Sequence, residues 1–366
     1  MDYREAAIGA SEWLLNQTPE DGSLYDGSAG VLLTMLDAHA ASGEQRFLDA
    51  AHRMGTELAA GIDDDEYSGL YVGIAGRGFA LAELGDDAGV RKVVAALGRR
   101  GFGPMTDIIV GAAGTICWLA AVGEAELARQ WARWLASVGE PATGGTKWMH
   151  VVGDDDYMPN FSHGTAGNAY ALAAAGLIDE AIAGADHLVA IAERPDGGFR
   201  IRHFDDGAPA DFPLGWCHGP TGTARLFQLL ADKTGDEKWT ELRDACAQTV
   251  RTSGIPERKE PGFWDNAAAC CGSTGVAKFF LGLHRRTGDA DHLAFARLMS
   301  DDIVDRATVD GDGVRWSNIE HRRPDPVLPP DPGQMQGAAG IASWLFELDR
   351  FVSGDASYRR WPDNPF

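Results

Sequence analysis

Residues 27–60 read GSAGVLLTMLDAHAASGEQRFLDAAHRMGTELAA, and this stretch decides the fold. It opens on a Gly-x-x-Gly tetrapeptide, Gly27-Ser-Ala-Gly30. An Ala-rich segment follows, with apolar residues recurring at three and four positions, the mark of a helix. Ser42-Gly43-Glu44 then breaks the pattern. Glycine there suits a left-handed C′ position, and the acidic residue after it suits the positive end of the next helix dipole. The next segment, EQRFLDAAHRMGTELA, has one apolar stripe and one charged face. The stretch therefore reads as an inner helix, a turn and an outer helix.

The unit repeats. Gly-x-x-Gly tetrapeptides begin at Gly27, Gly73, Gly111, Gly164, Gly219, Gly272 and Gly337, at steps of 46, 38, 53, 55, 53 and 65 residues. The second signal recurs as Gly85-Asp86, Gly123-Glu124, Thr234-Gly235-Asp236, Thr287-Gly288-Asp289 and Ser353-Gly354-Asp355. Self-similarity at such a period marks a stacked or closed array. The expected fold is all-α: seven helical hairpins closed as an α/α toroid, one domain over residues 1–366, with the Gly-x-x-Gly motifs starting the inner helices at one rim. Helix N-termini gathered there offer N–H groups to a ligand. A second reading of the glycines is that they only permit tight helix packing. Long connections at 138–162, 194–216, 254–269 and 306–336 carry Trp148, Trp216, Trp264 and Trp316, the expected edge of a substrate cleft.

Charge narrows the function. The 366 residues include 54 acidic and 32 basic, a formal charge of −22. That excludes a nucleic-acid partner, which needs a basic surface for counterion release, and disfavours docking on anionic lipid. No apolar run approaches the ~20 residues of a membrane span. The start, MDYREAAIGASEWLLNQ, carries charge where a signal peptide needs an apolar stretch. A soluble, cytoplasmic protein is expected. The cysteines are five, Cys117, Cys217, Cys246, Cys270 and Cys271, and an odd count in such a chain argues against a disulfide framework.

Three motifs carry chemistry. The fifth reads Gly215-Trp216-Cys217-His218-Gly219, the sixth Ala269-Cys270-Cys271-Gly272 and the fourth Ser162-His163-Gly164. In quasi-equivalent repeats the residues just ahead of the first glycine point to one region. Cys217 and His218 would then meet Cys270 and Cys271. Three thiolates suit zinc, and three protein ligands leave one position open, the catalytic arrangement. The alternative is that these are buried core cysteines, as Cys117 and Cys246 are expected to be. His163 has a second reading as a helix cap or a satisfied core polar residue. Asp107, in Asp107-Ile-Ile-Val-Gly111, has one as a dipole partner.

The seven Gly-x-x-Gly motifs with the Trp-Cys-His-Gly and Cys-Cys-Gly elements resemble the lanthionine synthetase C-like family, from Gly27 to Phe346. The resemblance implies a closed α/α toroid with one zinc ion, held by Cys217, Cys270 and Cys271. Most relatives have histidine at position 271, and the three-cysteine site is similar to a known subgroup. The resemblance also implies functional roles for His163, Asp107 and His218. Pro213 stands where characterised members tend to carry arginine; Arg77, Arg200 or Arg202 would have to replace it. The implied reaction is Michael-type addition of a peptide cysteine thiol to dehydroalanine or dehydrobutyrine, closing a thioether ring. His218 is then the expected acid, and His163 the group that orients or deprotonates the incoming thiol, with Asp107 orienting one imidazole. The implied partner is a dehydrated precursor peptide, its dehydration supplied by a separate dehydratase or kinase/lyase. Two alternatives stand beside the cyclase. One is a relative that binds thiols such as glutathione or a partner protein. The other is a toroidal carbohydrate enzyme drawing carboxylates from Asp154, Asp155, Asp156 and Asp265.

Overall fold

The computed structural model describes residues 1–155, 157–204, 211–257, 265–320 and 323–366. The Gly-x-x-Gly motifs start α2 (Ser28–Ser42), α4 (Ile74–Leu84), α6 (Ala112–Ala121), α8 (Thr165–Ala174), α10 (Pro220–Thr234), α12 (Ser273–Thr287) and α14 (Ala338–Val352). The second helices are α3 (Gln45–Ala60), α5 (Asp87–Arg99), α7 (Ala125–Ser137), α9 (Ile178–Ile191), α11 (Glu237–Arg251) and α13 (Ala290–Asp305). The two classes bury different amounts of surface. Helix α6 is buried continuously from Ala112 to Leu119. Helix α7 buries only Ala128, Trp131, Ala132 and Leu135, a stripe at helical spacing. The turns use the expected glycines: Gly43, Gly85, Gly123, Gly235, Gly288 and Gly354 all have positive φ.

Packing divides the chain into two compact units. One comprises residues 1–65, 76–93 and 259–360. In it α2 packs on α3 and α12 on α13. Among the described residues no helix follows α14: residues 355–366 lack helical periodicity and carry Pro362 and Pro365. Its partner is α1 (Tyr3–Leu15), which lies along it. The seventh hairpin is thus built from the last and first helices of the chain. The other unit comprises residues 66–75, 94–258 and 361–366, with α6 on α7, α8 on α9, α10 on α11, and α8 beside both α6 and α10.

The C-terminal tail is an integral part of that second unit. Asp363 is fully buried and pairs with Arg225 at 2.6 Å, and the Tyr71 hydroxyl donates to it at 3.1 Å. The Arg225 guanidinium lies over the rings of Phe161 and Trp216. Asp363→Ala strands that guanidinium among aromatic rings, and removing one partner of a buried ion pair costs about 3–5 kcal/mol. A correspondingly lower denaturation midpoint is expected, and an unchanged one would contradict this account of the tail.

The Gly-x-x-Gly motifs serve a purpose other than leaving amides open. In α6 the first three amides are taken by the preceding loop: Ala112 N–H to Met105 O at 3.1 Å, Ala113 to Thr106 O at 2.9 Å and Gly114 to Asp107 O at 3.1 Å. The same seven-residue relation joins Ser28 to Asp21, Ala166 to Pro159, Ser273 to Asn266 and Ala338 to Asp331. The loop folds back and caps the helix with its own carbonyls, satisfying groups that otherwise need a ligand. A Cβ on the second glycine would strike the carbonyl oxygen six residues upstream, at 2.1 Å for Gly114, 2.1 Å for Gly167, 1.9 Å for Gly222 and 1.8 Å for Gly340. The expectation of a rim of available N–H groups is corrected accordingly.

Two β-hairpins sit in the long connections: β1 (Glu140–Ala142) with β2 (Gly145–Lys147), and β3 (Thr308–Asp310) with β4 (Gly313–Arg315). Each has a two-residue turn, Thr143-Gly144 and Gly311-Asp312. A tryptophan follows each hairpin. Trp148 Nε1 donates to Leu135 O and Trp316 Nε1 to Ile303 O, both at 2.8 Å. Trp148, Trp216 and Trp316 are at most 2% exposed, so these rings fill core and line no cleft. Trp264 lies outside the described residues.

Candidate functional site

A ladder of backbone bonds sets the site residues in place. In the first, fourth, fifth, sixth and seventh motifs it runs through the residue two positions before the first glycine. Ser162 N–H donates to Cys217 O at 2.9 Å, and Ser162 O accepts from Ile108 N–H in the third motif's loop at 3.1 Å. Likewise Cys270 N–H donates to Met335 O at 2.8 Å, and Met335 N–H to Tyr25 O at 3.0 Å. Cys217 and Cys270 therefore occupy equivalent positions, with His163, His218 and Cys271 one residue on.

Cys217, Cys270 and Cys271 are buried, at 4%, 2% and 7% exposure. All five cysteines are free thiols. Cys271 donates to Cys270 Sγ at 3.2 Å, and the Tyr25 hydroxyl donates to the same sulfur at 3.3 Å. Together the three thiols make a donor group that could hold a metal ion. Soft sulfur donors without a disulfide fit zinc. Cys117 and Cys246 are core residues, as expected, and burial pushes both thiols well above their ordinary pKa.

Asp107, fully buried, anchors the histidines. Its Oδ1 accepts from Val110 N–H at 3.0 Å, while Oδ2 lies 2.7 Å from His163 Nδ1 and 3.3 Å from His150 Nε2. Burial opposes its charge, but the nearby His150 imidazole and the hydrogen bond with His163 more than offset that and hold the carboxyl below its usual range. The Asp107 carboxylate beside it raises the pKa of His150, against its own burial. His218 is 9% exposed, with its ring 5.8 Å from His163 and 3.9 Å from His203. Burial first, then His203 and His163, push its pKa down to about 2, so it is neutral at physiological pH.

His150 and His203 lie in the long connections 138–162 and 194–216, away from any Gly-x-x-Gly motif. His150 belongs with Asp107 because Thr106 N–H donates to His150 O at 3.0 Å and Met105 bridges Val151, which lays the connection against the loop ahead of α6. No short-range pattern announces such a pairing. The arginines named for position 213 are engaged elsewhere. Arg77 pairs with Asp65 at 2.9 Å. Arg200 and Arg202 both face Glu193, and Arg200 also stacks on Phe212. Of the carboxylates, Asp265 is paired with Arg306, Asp154 and Asp155 are exposed, and Asp156 lies outside the described residues.

Residues 18–364 match the family model described as lanthionine synthetase C-like protein. The chain belongs to that family. A solved structure of nisin cyclase is similar over 96% of this chain and 93% of that one, at 13% identity and a TM-score of 0.68. The unsaturated glucuronyl hydrolase from Bacillus sp. GL1, described as responsible for the degradation of glycosaminoglycan, is similar over 97% and 98%, at 14% identity and a TM-score of 0.51. These likenesses concern the fold alone: the all-α toroid class expected from the repeats is the fold of this chain. Among the described residues no helix is long and apolar enough to cross a membrane.

Proposed function

We propose that the chain is a zinc-dependent lanthionine cyclase acting on a dehydrated peptide. The observation that carries this reading is the buried group of free thiols, Cys217, Cys270 and Cys271, in a member of the lanthionine synthetase C-like family. Those three residues would hold the ion. Bound there, zinc would supply the Lewis acidity that keeps a substrate thiol deprotonated at neutral pH.

The protein's own groups handle the proton. With Nδ1–H held by Asp107, His163 keeps its other nitrogen, Nε2, as the base that takes the proton of the incoming thiol. The sulfur then bonds to the β-carbon of the dehydro residue, and the double-bond electrons move toward the carbonyl as an enolate. His163 returns the proton to the α-carbon, so atoms and charge balance. His218, neutral and buried, is a hydrogen-bond donor for the enolate oxygen rather than the resting acid. His163→Ala is expected to keep its zinc and lose about 10²–10⁴-fold in rate, the usual contribution of a positioned acid–base group. Ring closure is read by mass spectrometry, as loss of alkylatable thiol from a dehydrated peptide. An active His163→Ala variant removes this assignment.

The peptide would be dehydrated by a separate dehydratase or kinase/lyase, and a reducing compartment such as the cytoplasm would keep the thiols free. A second reading follows from Pro213 and from the engagement of Arg77, Arg200 and Arg202: a relative that joins or binds small thiols such as glutathione. Supplying glutathione in competition with the peptide's own cysteines separates the two, because a cyclase forms the internal ring and leaves glutathione unbound.

A further inference from the structure

We propose that Tyr25 is a positioning residue for the thiol site: its phenol donates to Cys270 Sγ and draws charge from that sulfur, with Gln336 fixing the direction of the bond. The inference rests on the zinc reading and extends it to residues of the first and seventh motifs.

Gln336 Nε2 lies 2.9 Å from the Tyr25 hydroxyl, and Cys270 Sγ lies 3.3 Å from it on the other side. An amide NH₂ only donates, so the phenol oxygen accepts from Gln336 and its single proton is left for the sulfur. The geometry is held from behind. Met335 N–H donates to Tyr25 O and Cys270 N–H to Met335 O, so the three segments are locked in register. Asn318 Nδ2 donates to Gln336 O at 2.7 Å, while Asn318 Oδ1 accepts from Ala267 N–H at 3.2 Å in the loop that carries Cys270. Tyr25 and Gln336 stand at motif positions equivalent to Cys270 and Cys271, and spend them on support.

Charge supplies the reason. Three thiolates outweigh a divalent cation by one unit in a buried setting, where excess charge is costly. Cys271 in place of a neutral imidazole creates that excess. A hydrogen bond to a ligand sulfur withdraws electron density from it, as outer-shell donors do at metal–thiolate centres. Cys270 would then donate less to a bound ion, leaving more of its Lewis acidity for a substrate thiol.

The test loads the full chain with Co²⁺ and reads the sulfur-to-cobalt charge-transfer band in wild type, Tyr25→Phe and Gln336→Met. Removing the phenol proton raises the energy of the sulfur lone pair, so the Tyr25→Phe band should move to longer wavelength. Gln336→Met leaves the phenol but frees its rotation, so its band should move the same way and less. A purely structural role would change cobalt content or melting temperature and leave the band in place. Unshifted bands in folded, loaded variants overturn the proposal and spare the zinc reading. A wild-type chain that binds no cobalt overturns that reading, and this proposal with it.

Discussion

Cys217→Ala, Cys270→Ala and Cys271→Ala are each expected to abolish both bound metal and ring formation. Protein purified without added metal should carry about one zinc per chain, and each variant close to none. The size of the effect follows from the donor set. Losing a supporting hydrogen bond costs a metal site about 10–100-fold in affinity. Losing one of three thiolates removes a ligand outright. Cys271→His tests the assignment from the other side, because an imidazole can replace a thiolate as a zinc ligand. It should keep the ion while lowering the charge of the site. Cys117→Ala and Cys246→Ala are the matched controls: both residues are buried, at 1% and 0% exposure, and neither belongs to the donor group. Metal retained in all three site variants would remove the mechanism and leave the fold untouched.

What could be read from the sequence was what repeats. The Gly-x-x-Gly motifs, the turn glycines and the two helix classes are local signals, and the seven inner helices and the outer helices α3, α5, α7, α11 and α13 follow them. The candidate ligands were legible for the same reason, since Cys217, Cys270 and Cys271 stand at fixed offsets from their glycines. The pairing of α1 with α14 was not legible, because it joins segments more than 300 residues apart with no shared motif. His150 and Tyr25 were missed on similar grounds. Each reaches its neighbour through a non-local backbone bridge, at a residue type with no periodic signature. The tryptophans misled because a long connection is expected to be exposed. Here each short β-hairpin turns the chain back so that its indole reaches a helix carbonyl. The glycine rim also misled, since counting unsatisfied helix amides takes no account of the loop before them.

Gly340→Ala is the substitution expected to cost the fold most, and it opposes ordinary helix propensity. Alanine in a helix is favoured over glycine by about 1 kcal/mol, so the exchange would normally stabilise. At position 340 the added Cβ would lie 1.8 Å from Gln334 O, 2.9 Å from Gln334 C and 3.4 Å from Ala269 Cβ. The carbonyl cannot swing aside, because the loop that holds it also caps α14 through Asp331 O, Pro332 O and Gly333 O. Relief means lifting the loop by more than an ångström and losing those caps together, and the loop includes Met335, the step of the ladder that carries Cys270 and Tyr25. A loss above about 4 kcal/mol is expected, in the range reserved for severe steric or burial defects. Gly98→Ala gives the opposite sign. Gly98 lies inside α5, where an added methyl group would meet nothing within 4 Å, so alanine should add about 0.5–1 kcal/mol. Denaturant midpoints of the two variants decide the matter. If Gly340→Ala unfolds at the wild-type midpoint, the motif glycines are not there to admit the capping loop. If it falls while Gly98→Ala rises, the repeated glycine is the structural condition for the loop that places Cys217 and Cys270 two residues ahead of the first motif glycine.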